Sequence, residues 1–84
     1  MLKFEEVKDD FDYIIEAIKD NYDLSKYELE AIEEIKENID EYVSNFIYDM
    51  ELSHDFFGRF NYDPVDFIRG ELSTIARINE ECAN

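Results

Sequence analysis

The sequence predicts an all-α fold built as a three-helix bundle. Apolar residues recur at spacings of three and four through three long stretches, which is the period of an amphipathic helix. Two of these stretches open with helix-start patterns, and no stretch alternates as a strand would. The pattern also allows a short fourth helical element around residues 53–58. With 84 residues, the chain is expected to form a single acidic helical domain over residues 1–84.

The first helix is predicted from a single apolar stripe near the amino terminus. The stripe begins at Phe4, and the helix is expected to end near Asn21. Its other side is rich in carboxylates, as an exposed face would be. The stripe consists of Phe4, Val7, Phe11, Ile14, Ile15, Ile18 and Tyr22.

The second helix is predicted to start at about residue 26. Ser25 and Glu28 have the spacing of a capping box, and Leu24 and Leu29 stand at the positions of a hydrophobic staple. No Gly or Pro interrupts the following stripe, so we expect one continuous helix of about 25 residues, or roughly 37 Å. Its apolar positions are Leu29, Ile32, Ile35, Ile39, Tyr42, Val43, Phe46, Ile47 and Met50.

Residues 51–62 break the helical period, and a third helix is predicted after them. Asp63 suits the N-cap, Pro64 the first helical position, and Asp66 adds negative charge in the first turn. Gly70 costs about 1 kcal/mol in helix propensity relative to Ala, and a close helix–helix approach is one reason for a helix to accept that cost. The stripe carries Val65, Ile68, Leu72, Ile75, Ala76 and Ile78.

The net charge is the strongest signal of function. The chain has 23 acidic and eight basic residues, a formal net charge of -15. Such a field repels nucleic acid and anionic membranes and attracts basic surfaces, most of all those that hold phosphate backbones. The alternative is that the acidity serves only to keep the protein in solution. We expect a basic DNA-binding protein as partner, with no direct binding of nucleic acid or membrane.

The residue types needed for catalysis are sparse. His54 is the only imidazole, Cys82 is the only thiol, and nothing in the sequence ties them together. Glu51 and His54 have the spacing of a di-iron motif, but the second such motif is missing. No calcium loop and no glycine-rich phosphate loop occurs. We therefore expect no enzyme, no catalytic residue, no metal and no cofactor.

Location is predicted from the lack of export signals. The first ten residues, MLKFEEVKDD, contain no apolar segment typical of a signal peptide. No apolar run approaches the roughly 20 residues of a membrane span. We expect a cytoplasmic protein, in a bacterial host.

The acidic faces of the first two helices form the candidate partner-binding surface. Two antiparallel helices with such rows would present two lines of negative charge to a cleft lined with Lys and Arg. Tyr13, Tyr27, Asn38, Asn45 and Tyr48 are candidates for polar contacts at its rim. The partner-binding candidates are Asp9, Asp12, Glu16, Asp20, Glu30, Glu33, Glu34, Glu37, Asp40 and Glu41.

Three stretches resemble the Ocr-type phage anti-restriction proteins. Residues 11–21 resemble the first helix of that family, and residues 31–47 its second helix, with an Ala-Ile pair leading to a Tyr-containing end. Residues 63–69, DPVDFIR, resemble the start of a later helix. The resemblance implies an acidic DNA mimic that inhibits a type I restriction enzyme, and small acidic anti-CRISPR proteins use the same strategy. The chain lacks the strongly acidic carboxyl-terminal segment of the family.

The leading hypothesis is a phage-encoded DNA mimic that occupies the DNA-binding site of a CRISPR-Cas effector or a restriction enzyme. Two alternatives stay open. One is an adaptor or immunity-type domain that recognises one basic partner through aromatic anchors. The other is a structural acidic bundle. A homodimer is compatible with all three.

Overall fold

A computed structural model describes residues 3–52 and 63–83, and every regular element within them is an α-helix. The all-α prediction is confirmed, with four helices in place of three. The expected short element at 53–58 lies outside the described residues. The helices are α1 (Phe4–Asn21), α2 (Lys26–Glu37), α3 (Ile39–Leu52) and α4 (Pro64–Ala83).

The prediction of one continuous second helix is wrong, because the helix is interrupted at Asn38. We refer to this interruption as the break at Asn38. Asn38 has φ -118° and ψ 31°, and its backbone N–H is shared between the carbonyls of Glu34 and Ile35, each at 3.2 Å. Its side-chain amide also donates to the Glu34 carbonyl at 3.0 Å. An Asn side chain that bonds the preceding turn competes with helix continuation. The apolar spacing runs on across the break, so periodicity alone does not reveal it.

Both predicted helix starts are confirmed. The Glu28 N–H donates to Ser25 Oγ at 3.2 Å, and the Ser25 N–H donates to Glu28 Oε1 at 3.0 Å, which completes the capping box. At the start of α4, the Asp66 N–H donates to Asp63 Oδ1 at 3.0 Å. These bonds satisfy N–H groups that the first helical turn leaves without partners.

The core is apolar and draws on all four helices. α2 packs most extensively against α4, and α1 packs against α3 and α4. Three rings meet at the centre: Phe46 lies 5.4 Å from Phe11 and 5.1 Å from Phe67 between centroids, both edge to face. No described polar or charged side chain is buried. The buried core cluster consists of Val7, Phe11, Ile15, Ile18, Ala31, Ile32, Ile35, Val43, Phe46, Ile68, Leu72, Ile75 and Ala76, and Pro64 is also buried.

Four residues predicted for the apolar stripes are instead largely exposed. Each stands at an edge or an end of its stripe, where the neighbouring helix does not cover it. The exposed fractions are 55% for Tyr22, 45% for Leu29, 43% for Val65 and 52% for Ile78.

The close helix–helix approach that could account for Gly70 is not found. A Cβ added there would meet nothing within 4 Å. The Thr74 hydroxyl donates to the Gly70 carbonyl at 3.0 Å, within the same helix. The glycine is therefore not required by packing.

No helix among the described residues combines the length and the apolar character needed to cross a membrane.

Candidate acidic binding surface

All ten predicted partner-binding carboxylates are exposed. The core-facing stripes of α1, α2 and α3 turn them outward, so their exposure follows from the amphipathic pattern. α1 carries four of them, α2 carries four, and the first turn of α3 carries the last two. They are Asp9, Asp12, Glu16, Asp20, Glu30, Glu33, Glu34, Glu37, Asp40 and Glu41.

Three of these ten carboxylates are paired with lysines between α1 and the α2–α3 segment. We call these pairs the lysine seam; the sequence reasoning assigned its lysines no role. Exposed pairs of this kind contribute about 0–1 kcal/mol each, so the seam mainly lowers the local charge. Its members are Lys8 with Asp40 at 3.1 Å, Lys19 with Glu33 at 4.0 Å, and Lys36 with Glu16 at 3.5 Å.

The shortest seam pair shifts the titration of its lysine. The hydrogen bond that Lys8 donates to Asp40, followed by the attraction between their charges, raises the pKa of Lys8 above its usual 10.5. Glu5 and Asp12 on the same helix add smaller contributions of the same sign. Lys8 therefore stays protonated throughout the physiological range.

A second group of carboxylates forms a row on the outer side of α2 that continues into α3. We call Glu30, Glu34, Glu37 and Glu41 the acidic row. Spacings of four and three residues place Glu30, Glu34 and Glu37 along one face of α2, about 5–6 Å apart along the axis. Glu41 follows beyond the break, in the first turn of α3. Within residues 3–52 and 63–83, no Lys or Arg nitrogen lies within 4.0 Å of their carboxylates. The row is thus one part of the surface where no described cation offsets the negative charge at close range.

Two shallow concave surfaces lie along the acidic row, and both include Asn38 at the helix break. The first is lined by Leu29, Glu33 and the three row members of α2. The second, which we call the Tyr42 cleft, is lined by Glu34, Asn38, Glu41, Tyr42, Asn45 and Glu71.

Tyr42 lines this cleft together with Glu34 and Glu41 of the acidic row and Glu71 of α4. Burial first, and then the charges of Glu34, Glu71 and Glu41, raise the pKa of Tyr42 above its usual 10.0. The sequence reasoning missed Glu71 and assigned Tyr42 only to the core. A weak signal existed for Glu71, because it stands between Ile68 and Leu72 at the edge of an apolar stripe. The phenol therefore remains a hydrogen-bond donor among carboxylates.

The surface offers acceptors and negative charge, which suits Lys and Arg side chains of a partner. Among the described residues, no group of three or more His, Cys, Asp or Glu side chains is arranged to hold a metal ion.

Two aromatic rings stand out from the acidic helices. Tyr13 on α1 is 78% exposed and Tyr48 on α3 is 64% exposed. Of the other predicted rim residues, Tyr27 is half-buried, Asn45 lines the Tyr42 cleft, and Asn38 is the cap at the helix break.

Comparison with known proteins gives no match to a protein-family model, to a curated protein or to a solved structure. Function is therefore inferred from the surface itself.

Proposed function

We propose that this protein is a phage-encoded DNA mimic that inhibits a bacterial defence nuclease, either a CRISPR-Cas effector or a restriction enzyme. It acts in the host cytoplasm as a competitor and has no enzymatic role. Its acidic surface enters the cationic groove of the nuclease in place of nucleic acid.

The observation that carries the proposal is the acidic row. Four exposed carboxylates follow one another along α2 and the first turn of α3, no described cation pairs with them, and the whole chain has a net charge of -15. A surface that served only solubility would gain from mixing both signs. The lysine seam instead gathers three of the five lysines on the α1 side of the row.

The proposal is tested by displacement of labelled DNA. A guide-loaded Cas effector and a type I restriction enzyme are each mixed with labelled DNA and increasing amounts of the protein, at low and at physiological salt. We expect displacement from one of them, weaker at the higher salt because the contacts are electrostatic. Undisturbed DNA binding by both enzymes at both salt concentrations would overturn the proposal.

Two variants that each lose four negative charges show whether the acidic row is responsible for displacing DNA. The first replaces all four row glutamates with Gln. At about 0.5 kcal/mol per exposed pair, the loss is about 2 kcal/mol, so about 30-fold more protein is needed for half displacement. The matched control changes four exposed acids away from the row. It combines Glu6→Gln, Asp23→Asn, Glu80→Gln and Glu81→Gln. Equal losses in both variants would mean that only total charge matters.

Leu29 favours a second candidate, an adaptor domain that binds one basic partner without imitating DNA. The side chain is 45% exposed and lines the same concave surface as Glu30 and Glu33. An exposed apolar side chain beside carboxylates offers a partner an apolar contact that imitation of a phosphate backbone does not need. If Leu29→Ala weakens binding more than the quadruple Gln variant does, the adaptor is the better description.

A further inference from the structure

A pocket lies between the end of α1, the start of α2 and the first half of α4. We call it the Arg69 pocket. It shares no lining residue with either of the two concave surfaces along the acidic row. The proposed function makes no use of this pocket, so any role of the pocket is independent of DNA mimicry.

The inner side of the Arg69 pocket is apolar and small. Ile18 of α1 and Leu72 of α4 are buried, and Leu24, between α1 and α2, is half-buried. The cavity has a volume of about 110 Å³. Since an apolar cavity of about 150 Å³ takes up benzene, this one has room for a slightly smaller group. The branched end of a leucine side chain is of that size.

The outer side of the pocket carries a guanidinium that has no carboxylate partner at close range. Arg69 Cζ lies 5.8 Å from the centroid of the Tyr22 ring, and Tyr22 is itself 55% exposed. A cation–π contact with a ring leaves N–H groups of the guanidinium available for hydrogen bonds. Within residues 3–52 and 63–83, no carboxylate oxygen lies within 4.0 Å of Arg69. The ring therefore holds Arg69 at the pocket with its capacity to bind an external carboxylate intact.

Two further polar side chains line the pocket. Ser73 stands four residues beyond Arg69, on the same face of α4, and offers an exposed hydroxyl. Glu28 also lines the pocket, and its Oε1 accepts from the Ser25 N–H at 3.0 Å in the capping box. That bond ties the Glu28 carboxylate to the start of α2. Because the charge of Glu28 weakens the binding of an anion, we expect affinity in the millimolar range.

We propose that the Arg69 pocket binds a carboxylate that carries a small branched apolar group. Arg69 and the Ser73 hydroxyl hold the carboxylate through charge-assisted hydrogen bonds. The apolar group leaves water and enters the cavity among Ile18, Leu24 and Leu72. Two sources have this chemistry, namely a free branched-chain carboxylic acid and the carboxyl-terminal residue of a polypeptide that ends in leucine or valine.

Three probes test the proposal by NMR titration of the isotope-labelled protein at physiological salt. N-acetyl-leucine carries both groups, N-acetyl-leucinamide lacks the carboxylate, and N-acetylglycine lacks the branched group. We expect N-acetyl-leucine to shift the amide signals of Leu24, Leu72 and Ser73. It should bind about tenfold more tightly than either of the other two probes, because each of them lacks one of the two interactions. Absence of binding, or equal binding of N-acetyl-leucinamide, would overturn the proposal.

A fourth probe, isocaproate, distinguishes the two sources. It carries the same branched group and a carboxylate but has no peptide group. Binding as tight as that of N-acetyl-leucine would support the site and identify a free acid as sufficient. Weaker binding, with shifts at the same three amides, would support the site and identify a polypeptide terminus as the better ligand.

Two arginine variants show whether the carboxylate is bound at this pocket. Arg69→Gln removes the guanidinium and should weaken the binding of N-acetyl-leucine about tenfold. Arg77→Gln is the matched control, since it removes the same charge eight residues further along α4, where Arg77 lines a neighbouring hollow instead. Both residues are exposed, so the melting temperature should change little. Equal losses of binding in the two variants would show that overall charge attracts the anion, and would overturn the proposal.

Discussion

Lys8 on α1 and Asp40 on α3 are joined by a contact of 3.1 Å between Nζ and Oδ1. Asp40 lies two residues beyond the break at Asn38, so the contact ties α3 to α1 directly after the helix is interrupted. The other seam contacts tie α1 to α2. Ionic contacts with α1 are therefore present both before the break, in α2, and after it, in α3.

Stability should fall at alkaline pH. The folded-state pKa values of Lys8 and Tyr42 lie above their usual 10.5 and 10.0. The unfolded chain therefore releases these protons first as pH rises. The contribution of both groups is fully present below about pH 10 and is lost as pH rises through their folded-state values. Thermal unfolding followed from about pH 8 to about pH 11.5 measures the fall.

The variants Lys8→Met and Tyr42→Phe show which group causes the loss of stability at alkaline pH. Each variant removes one titrating group, so its melting temperature should drop less steeply above about pH 10 than that of the parent. If the alkaline slopes of the parent and both variants coincide, the shifted groups are not responsible.

Loss of the capping box should destabilise α2. Ser25→Ala removes the side-chain oxygen that accepts from the Glu28 N–H, which costs about 1 kcal/mol at an N-cap. Ser44→Ala, at an exposed position inside α3, is the control and should stay within about 0.5 kcal/mol. Urea unfolding gives both values. Equal effects of the two substitutions would argue against the cap.

Gly70→Ala should stabilise the protein. The added Cβ meets nothing within 4 Å, and Ala is favoured over Gly in a helix by about 0.8–1 kcal/mol. The free energy of unfolding should rise by up to about 1 kcal/mol in urea titrations. A loss of stability would instead support the close helix approach that the sequence suggested.

Truncation at the aromatic centre should be severe. Phe46 is fully buried between the rings of Phe11 and Phe67. Phe46→Ala leaves a cavity and costs about 3–5 kcal/mol, a large part of the 5–15 kcal/mol typical of a small domain. Phe46→Leu keeps more volume and should cost less. Chemical unfolding ranks the two variants, and a loss below about 1 kcal/mol for Ala would contradict the packing.

Salt should stabilise the fold. Repulsion among 23 carboxylates opposes folding, and the exposed pairs of the lysine seam offset it only in part. Raising ionic strength from 0.01 M to 0.15 M shortens the screening length from about 30 Å to about 8 Å and weakens the repulsion more. The melting temperature should rise between these two conditions. A fall would show that the lysine seam outweighs the repulsion.

Much of the fold was predictable because local rules determine it. The start of α2 at Ser25 and of α4 at Asp63 follows from side chains that bond backbone groups three residues away. The break at Asn38 was not predictable from the apolar period, since Ile35 and Ile39 continue the stripe on both sides.

The candidate surface was predictable only in part. Exposure of Glu30 or Glu37 follows from the stripe on the opposite side of α2. The pairing of Lys19 with Glu33, and the approach of Glu71 to Tyr42, depend on which helices become neighbours. Spacing along one helix carries no such information, so both required the structure.

The outer position of Glu30 and Glu37 has an evolutionary consequence. Neither side chain supports the core, so exchange of either residue costs the fold little. The sequence of the acidic row can therefore change from one lineage to another without loss of the fold, while packing constrains Phe11, Phe46 and Phe67. Divergent relatives should be easier to find by the spacing of these core aromatic residues than by the acidic residues of the row.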